Sequence, residues 1–434
     1  MFETISALVV FAVALVLIMV RPKKISEALI AAGGAIIMLA LGRVNFSQAY
    51  AVLADKWDVF LFFLGLMTIA AIADSAGFFD WTSAVAVKLA KGSGLRLFLN
   101  VFLLGALIST FLSNDATALI LTPVVYTLTT RLRLSPLPFM FACTFIADTA
   151  SFTLPVSNPI NILVTGSFPQ TQDLLTFWKH LLVASILAIA LNIVLFVLIF
   201  RRQIPARFDT ENLESPSDVI AARDPVYFRF VSICLGLIAL GYVTASLLHF
   251  VLALVALAGA VVLVTGAALL GHLSLPKLSR EISWSIFLFI GGMFILVKGV
   301  ENVGLTREMG HLFVDAAGSS PFLGVMVGTF GTALGTNLIN NVPMALVMTS
   351  ALGQVSQSVA SPVVFSGLIF STILGADLGP NLTTVGSLAT VLWLLILRRK
   401  GLEVSPLQYF KLGIIVTPVM LLVSALAIWV SLLI

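Results

Sequence analysis

Charged residues are scarce in this chain of 434 residues. They make up 10% of the sequence, whereas 59% of it is hydrophobic and the mean hydropathy is +1.11. Soluble globular domains carry about 25% charged residues. This composition therefore excludes a soluble globular protein and predicts a polytopic membrane protein.

Cysteine and histidine are equally sparse. The only cysteines, Cys143 and Cys234, lie in separate apolar runs, and the four histidines are scattered. This spacing argues against a disulfide framework and against a cysteine-based metal site. A Walker phosphate loop, an HExxH motif and a GxSxG motif are also missing. We therefore expect no cofactor, no resident metal, no hydrolysis of ATP and no enzymatic activity.

The net charge of +4 could suggest nucleic acid as a partner. In a membrane chain, however, lysine and arginine mostly report orientation, so we expect no nucleic-acid binding and take the lipid bilayer as the environment.

Long apolar runs are abundant, and each run of about 20 residues can cross a bilayer as a helix. The first repeat, 1–200, is predicted to contain spans near 5–20, 25–42, 58–76 and 180–200, a polar-tipped hairpin 97–130 and a broken helix 137–165. A hydrophilic linker, 201–225, follows. The second repeat, 226–434, is predicted to contain spans near 226–246, 248–270, 284–301 and 412–433, a hairpin 321–355 and a broken helix 361–397.

The two halves also resemble each other by residue. LGLM at Leu64 to Met67 aligns with IGGM at Ile290 to Met293, and SND at Ser113 to Asp115 aligns with INN at Ile339 to Asn341. In this register Asn114 pairs with Asn340, and Asp74 has no acidic partner. Repeats of half-chain length are typical of secondary transporters.

If each hairpin enters and leaves on one side, each half crosses the membrane five times and the second half is inverted. Most lysines and arginines reach the cytoplasmic face when both termini are extracytoplasmic. The predicted fold is an all-α polytopic membrane protein with two inverted repeats, each of five transmembrane helices, one of them broken, plus a re-entrant helical hairpin.

Two aspartates, Asp148 and Asp377, occupy equivalent positions beside the predicted breaks. A carboxylate at mid-depth costs about 2.5 to 3.5 kcal/mol on insertion scales, so it should face a polar cavity or a partner. Pro155 and Pro159 interrupt helical hydrogen bonding next to the first aspartate. Single Ser and Thr residues are better explained by packing between helices. The duplicated aspartates instead predict an ion or proton pathway.

At these motifs the chain resembles the bacterial arsenite and antimonite efflux permeases of the ArsB type, within a broader superfamily of ion transporters with inverted repeats. The resemblance covers nearly the whole chain. It is carried by SNDATALILTP at Ser113 to Pro123, FIADTASFTLPVSNPINI at Phe145 to Ile162, NNVP at Asn340 to Pro343 and GADLGPNLTTVGSLATVLWL at Gly375 to Leu394.

The resemblance implies export of trivalent arsenic or antimony hydroxide across the bacterial cytoplasmic membrane, driven by proton influx and sometimes assisted by a soluble ATPase subunit. Arsenite at neutral pH is mainly the uncharged trihydroxide, which needs hydrogen-bond partners rather than charges. Candidate substrate-binding residues are Asn114, Thr117, Ser157, Asn158, Asn340, Asn341, Thr383 and Ser387. Candidate proton-coupling residues are Asp148, Asp377 and Asp115.

Two alternatives stay open at the level of sequence. A sodium/proton antiporter or a sodium-coupled anion carrier could use the same fold, although Asp115 and Val342 replace the threonines that sodium-coupled relatives carry at the hairpin tips. A passive channel is the other alternative, although duplicated broken helices suit alternating access better.

Overall fold

The computed structural model describes residues 2–20, 25–168, 171, 173–209, 215–221, 223–248, 250–359 and 361–434. Regular structure within these ranges is helical, apart from an isolated bridge between Ser93 and Arg207. Nine of the described helices are long and apolar enough to cross a membrane. This confirms the all-α polytopic prediction.

The first half has eleven α-helices. They are α1 (Phe2–Val20), α2 (Glu27–Ala40), α3 (Phe46–Asp55), α4 (Trp57–Ser75), α5 (Phe78–Ala90), α6 (Gly94–Phe111), α7 (Asn114–Ala116), α8 (Thr122–Arg131), α9 (Pro136–Thr149), α10 (Pro159–Ser167) and α11 (Leu174–Phe200). A π-helical turn, Thr117–Leu121, joins α7 to α8.

A short linker helix, α12 (Pro216–Ala221), precedes the second half. The remaining helices are α13 (Pro225–Leu247), α14 (Leu252–Leu269), α15 (Leu275–Glu281), α16 (Trp284–Asn302), α17 (Leu305–Ala317), α18 (Pro321–Ile339), α19 (Asn341–Val355), α20 (Pro362–Leu378), α21 (Leu388–Arg399) and α22 (Pro406–Ser431). They follow the same order as in the first half.

The sequence patterns missed several short helices, of which α5 and α17 are the most informative. Both carry mixed polar and apolar residues and are too short to span a membrane. Both follow a glycine in the left-handed conformation, Gly77 with φ 80° and Gly304 with φ 83°. Glycine adopts this conformation without a steric penalty, so each turns the chain sharply at the end of the preceding span.

Contacts between the halves are reciprocal: α2 packs against α16, and α4 packs against α14. Each contact rests on a glycine. A Cβ on Gly65 would lie 2.6 Å from the backbone of Ala256, and a Cβ on Gly292 would lie 2.6 Å from the backbone of Ala31. Small residues allow such close approach of membrane helices. Exchange of equivalent partners is what a two-fold relation between the halves produces.

The helix bounds correct the repeat register. Helices α4 and α16 begin at Trp57 and Trp284, and α5 and α17 follow Gly77 and Gly304, so the offset is 227 through this region rather than 226. With this offset Asp74 corresponds to Glu301, and the sequence-based statement that it has no acidic partner is wrong. Asn114 likewise corresponds to Asn341 rather than Asn340.

The linker helix lies beside α5, where Arg223 pairs with Asp80 at 3.2 Å. At the start of α13, His272 and Asp224 are 2.9 Å apart. The hydrogen bond with His272, together with those from the backbone N–H groups of Val226 and Tyr227, holds the pKa of the Asp224 carboxyl below its ordinary value. These contacts tie the linker to the first half and to the loop after α14.

We predict that a cysteine placed at Glu214 will not react with an impermeant thiol reagent in intact cells. The linker is predicted to be cytoplasmic because basic residues favour that face. Glu214 itself lies outside the described residues. The same cysteine should react in everted vesicles, which serve as the control. Labelling from outside intact cells would contradict the predicted topology.

Candidate functional site

Each half contains one helix that is interrupted next to its aspartate. In the first half α9 ends at Thr149, and α10 begins at Pro159 after a turn of 3-10 helix, Pro155–Ser157. Asn158 caps the N-terminus of α10 by accepting a hydrogen bond from Ile160 N. Pro155 and Pro159 cannot donate backbone hydrogen bonds, which explains why the helix breaks here.

The second half repeats this arrangement. Helix α20 ends at Leu378, a 3-10 turn follows at Gly379–Leu382, and Ser387 caps the N-terminus of α21 by accepting from Thr390 N. Ser387 and Asn158 differ by 229 positions, as do Asp377 and Asp148. The caps and the aspartates are therefore equivalent pairs.

The caps connect the halves. Asn158 Nδ2 donates to Asp377 Oδ1, and Ser387 Oγ donates to Asp148 Oδ2 at 3.1 Å. Each aspartate therefore receives a hydrogen bond from the cap of the other half. Both aspartates are fully buried. The pairing joins the two helix breaks in the buried interior.

The two hairpin tips differ in their hydrogen bonds to the aspartates. In the first half Asn114 Nδ2 donates to Asp148 Oδ1 at 3.1 Å. The equivalent pair in the second half is Asn341 and Asp377. Among the described residues, Asn341 Oδ1 and Asp377 Oδ2 have no hydrogen-bond partner. Asn114 therefore bonds the aspartate of its own half, whereas Asn341 has an amide oxygen with no partner among the described residues.

A small chamber lies between the hairpin tips and the breaks. Its polar lining is Asn114, Asp115, Asn158 and Asn341. Its apolar lining is Phe63, Pro159, Ile160, Ile286, Phe289, Ile290 and Val342. The chamber has a volume of about 20 Å³, and a single water needs about 10 to 15 Å³ by this kind of measure. In this conformation the chamber therefore has room for about one water.

A larger cavity of about 360 Å³ adjoins the chamber. The two share Phe63, Asp115, Pro159 and Ile286 in their linings. The cavity extends between α4 and α8 to residues of the α15–α16 region, with Asp74, Arg280 and Glu281 in its wall. In the predicted topology this end is cytoplasmic.

Four of the predicted substrate-binding residues use their polar atoms in hydrogen bonds to other protein groups. Thr117 Oγ1 donates to Ser113 O at 2.9 Å, and Ser157 Oγ donates to Thr110 O at 2.8 Å. Asn340 Nδ2 donates to Val385 O, its Oδ1 accepts from Val342 N, and Thr383 Oγ1 donates to Asn337 Oδ1. These bonds hold the tips and breaks in shape. The structure does not bring these polar groups to the chamber.

Two asparagines that sequence reasoning missed stabilise the breaks. Asn161 Nδ2 donates to the carbonyl oxygens of Ser151 and Leu154, and Asn381 Nδ2 donates to Phe145 O and Thr149 Oγ1. Interrupted helices leave carbonyls that must find donors inside a membrane protein. Their positions, directly after Pro380 and two residues after Pro159, were the sequence signal that could have identified them.

The interrupted helices, the hairpins and the chamber between them are features of a multi-pass membrane transporter. Its fold is similar to that of the YdaH transporter of Alcanivorax borkumensis, with a TM-score of 0.62 and 15% identity. That likeness covers 89% of this chain and 87% of the other.

The sequence comparisons identify the family. The family described as ArsB, arsenical pump membrane protein, matches residues 6–432, and the chain belongs to it. The arsenical pump membrane protein of Escherichia coli strain K12 is 33% identical over 422 residues, which cover 96% of each chain. That of Yersinia enterocolitica is 34% identical over 426 residues, again 96% of each. A putative arsenical pump membrane protein of Bacillus subtilis is 28% identical over 440 residues, covering 97% of this chain and 98% of the other.

Proposed function

We propose that this chain exports arsenite and antimonite, as uncharged trihydroxides, from the bacterial cytoplasm in exchange for protons. Membership of the arsenical pump family supports an arsenical substrate. The composition of the chamber supports the neutral form of that substrate.

The chamber offers hydrogen bonds without positive charge. Of its described lining residues, none is lysine, arginine or histidine, and three are asparagines from both halves. A tetrahedral oxyanion would be bound best by cationic donors, whereas a neutral trihydroxide both donates and accepts. Asn341 is 3% exposed, and its Oδ1 has no partner in the described structure. This oxygen can accept a hydrogen bond from a substrate hydroxyl, and it is the observation on which the proposal depends most.

The substrate reaches the chamber through the adjoining cavity. That cavity is wide enough for a small trihydroxide, whereas the chamber itself has room for about one water. Binding therefore requires the hairpin tips to separate slightly around the ligand. Closing again on the loaded site is the step that alternating access needs.

Proton coupling is assigned to the intramembrane carboxylates. Asp148 and Asp377 bridge the two halves through Ser387 and Asn158. A change in protonation at either carboxylate alters a bond between the halves, which couples proton binding to their relative position. Asp115 lines both cavities and is the third candidate.

The test is uptake of arsenite into everted vesicles that contain this chain, with an imposed proton gradient and no ATP. Accumulation against the arsenite gradient is expected without sodium. Uptake only in the presence of sodium would instead support the sodium-coupled alternative. Equilibration without accumulation would support a passive channel.

We predict that Asn341→Ala raises the arsenite concentration for half-maximal uptake by about two- to tenfold, because one net hydrogen bond is worth about 0.5 to 1.5 kcal/mol. The neighbouring variant Asn340→Ala is the comparison. Asn340 bonds the Val385 carbonyl and caps α19, so its loss should lower thermal stability and leave the apparent affinity unchanged. An unchanged apparent affinity in Asn341→Ala would contradict the role given to this residue.

A further inference from the structure

The two hairpins have different surroundings, although the halves share one design. Near the end of α16, Glu301 accepts hydrogen bonds from Lys298 and, through Oε2 at 2.9 Å, from Ser350 Oγ of α19. Lys298 and Glu301 also form an ion pair, and their side chains are 25% and 27% exposed. This bridge joins α16 to the second arm of the second hairpin.

The equivalent positions in the first half have no such bridge. With the offset of 227, Glu301 corresponds to Asp74, Lys298 to Ala71 and Ser350 to Pro123. Ala71, Asp74 and Pro123 all line the cavity of about 360 Å³. Alanine and proline side chains cannot bond a carboxylate. The first half is therefore open where the second half is bridged.

A second contact shows the same difference. A Cβ on Gly310 of α17 would lie 2.5 Å from Ala351 O of α19, so these helices touch through their backbones. The corresponding residues in the first half are Ser83 of α5 and Val124 of α8. Both line a cavity of about 430 Å³ that lies between parts of their helices. Helix α19 is thus clamped between α16 and α17, whereas cavities flank α8 on both sides.

We infer that Lys298, Glu301 and Ser350 form the latch that keeps the second-hairpin side of the transport pathway closed. In the predicted topology this side is extracytoplasmic, and the open side is cytoplasmic. When the bridged half opens and the open half closes, access to the chamber changes from the cytoplasmic to the extracytoplasmic side. The latch must therefore open in each transport cycle. Because the first half lacks equivalent bonding groups, the latch biases the protein towards the conformation that loads from the cytoplasm.

This inference rests on the proposed transport by alternating access, but not on arsenite as the substrate. It can therefore be tested by accessibility alone. Val347 of α19 is buried, and its equivalent, Ile120, lines the open cavity. Single cysteines at Val347 and Ile120, in a Cys143→Ser and Cys234→Ser background, report on the two sides.

In the background with an intact latch, an impermeant maleimide should label the Ile120 cysteine from the cytoplasmic side and label the Val347 cysteine slowly from outside. We expect Glu301→Gln to raise the rate of labelling at Val347 by about fivefold, the lower end of typical coupling between two conformations. Labelling at Ile120 should fall in the same variant.

Glu308→Gln is the matched control, because Glu308 is an exposed residue of α17 outside the latch. It should leave both labelling rates unchanged. Ser350→Ala, which removes one hydroxyl group, is the milder second variant and should shift both rates in the same direction as Glu301→Gln. If both latch variants label like the background at both reporters, the latch is wrong. If labelling shifts but the background accumulates no arsenite, the proposed substrate fails and the latch stands.

Discussion

Replacing Asp148 and Asp377 together by asparagine is expected to reduce proton-driven accumulation of arsenite in everted vesicles by about tenfold or more, because intramembrane carboxylates carry protons in such transporters. Asparagine keeps the size of the side chain but cannot exchange a proton. The Ser387 hydroxyl can turn to accept from an amide, so the bridge between the halves can be retained. The double variant should therefore still insert and fold.

Downhill exchange of arsenite should survive in this variant, since Asn114 and Asn341 remain at the chamber. Asp315→Asn, an exposed position on α17, is the matched control and should accumulate arsenite like the unmodified chain. If the double variant, at normal expression, still concentrates arsenite with unchanged pH dependence, the coupling proton is carried elsewhere. Asp115 is then the next residue to replace.

The single variants should differ in effect. Both oxygens of Asp148 accept hydrogen bonds, from Asn114 and Ser387, whereas Asp377 Oδ2 has no partner among the described residues. An amide at Asp148 keeps both bonds only after the Ser387 hydroxyl turns from donor to acceptor. An amide at Asp377 can place its donor on the unpartnered side. We therefore expect Asp148→Asn to lower thermal stability more than Asp377→Asn does.

The second large effect is expected at the glycine contacts between the halves. Gly65→Ala and Gly292→Ala each place a Cβ 2.6 Å from the backbone of the facing helix. Backbone atoms cannot rotate away as a flexible side chain can, so each helix pair must separate. Overpacking of this kind costs about 1 to 3 kcal/mol per site, and distant sites add approximately. The double variant should lose several kcal/mol of stability and unfold at a markedly lower temperature in detergent.

Gly33→Ala is the control for this prediction. Gly33 lies on α2, the helix that Gly292 contacts, but a Cβ at Gly33 would have no neighbouring atom within 4 Å. Alanine is the better helix former, so this variant should be as stable as the unmodified chain. Equal unfolding temperatures for the control and the double variant would contradict the close contact of the halves.

The fold was largely predictable because membrane spans depend on length and hydropathy, which are local. The broken helices could be located for the same reason: prolines and a buried aspartate in an apolar run disfavour a continuous helix. Helices α5 and α17 were missed because their composition is mixed. Their direction depends on the turns at Gly77 and Gly304, and the chain signals such turns only weakly.

The sequence indicated polar residues at the hairpin tips and the breaks, but it did not indicate which of them lie together. Asn158 and Ser387 were identified as polar groups at the breaks, yet their pairing with the aspartates of the opposite half is a contact over more than 200 positions. Asn340 and Asn341 look alike in sequence. Only the geometry of the tip assigns the first to a helix cap and the second to the chamber.

The sequence by itself determined the membrane environment, the order of the main apolar helices and the positions of the breaks. These features follow from the free-energy cost of exposing polar backbone groups and charges to lipid, and this cost depends on the local sequence. The tertiary structure alone decided the register of 227, the crossed hydrogen bonds and the difference between the bridged and the open hairpin. These depend on which helices approach each other closely, and in lipid that approach is set by packing between distant segments rather than by hydropathy.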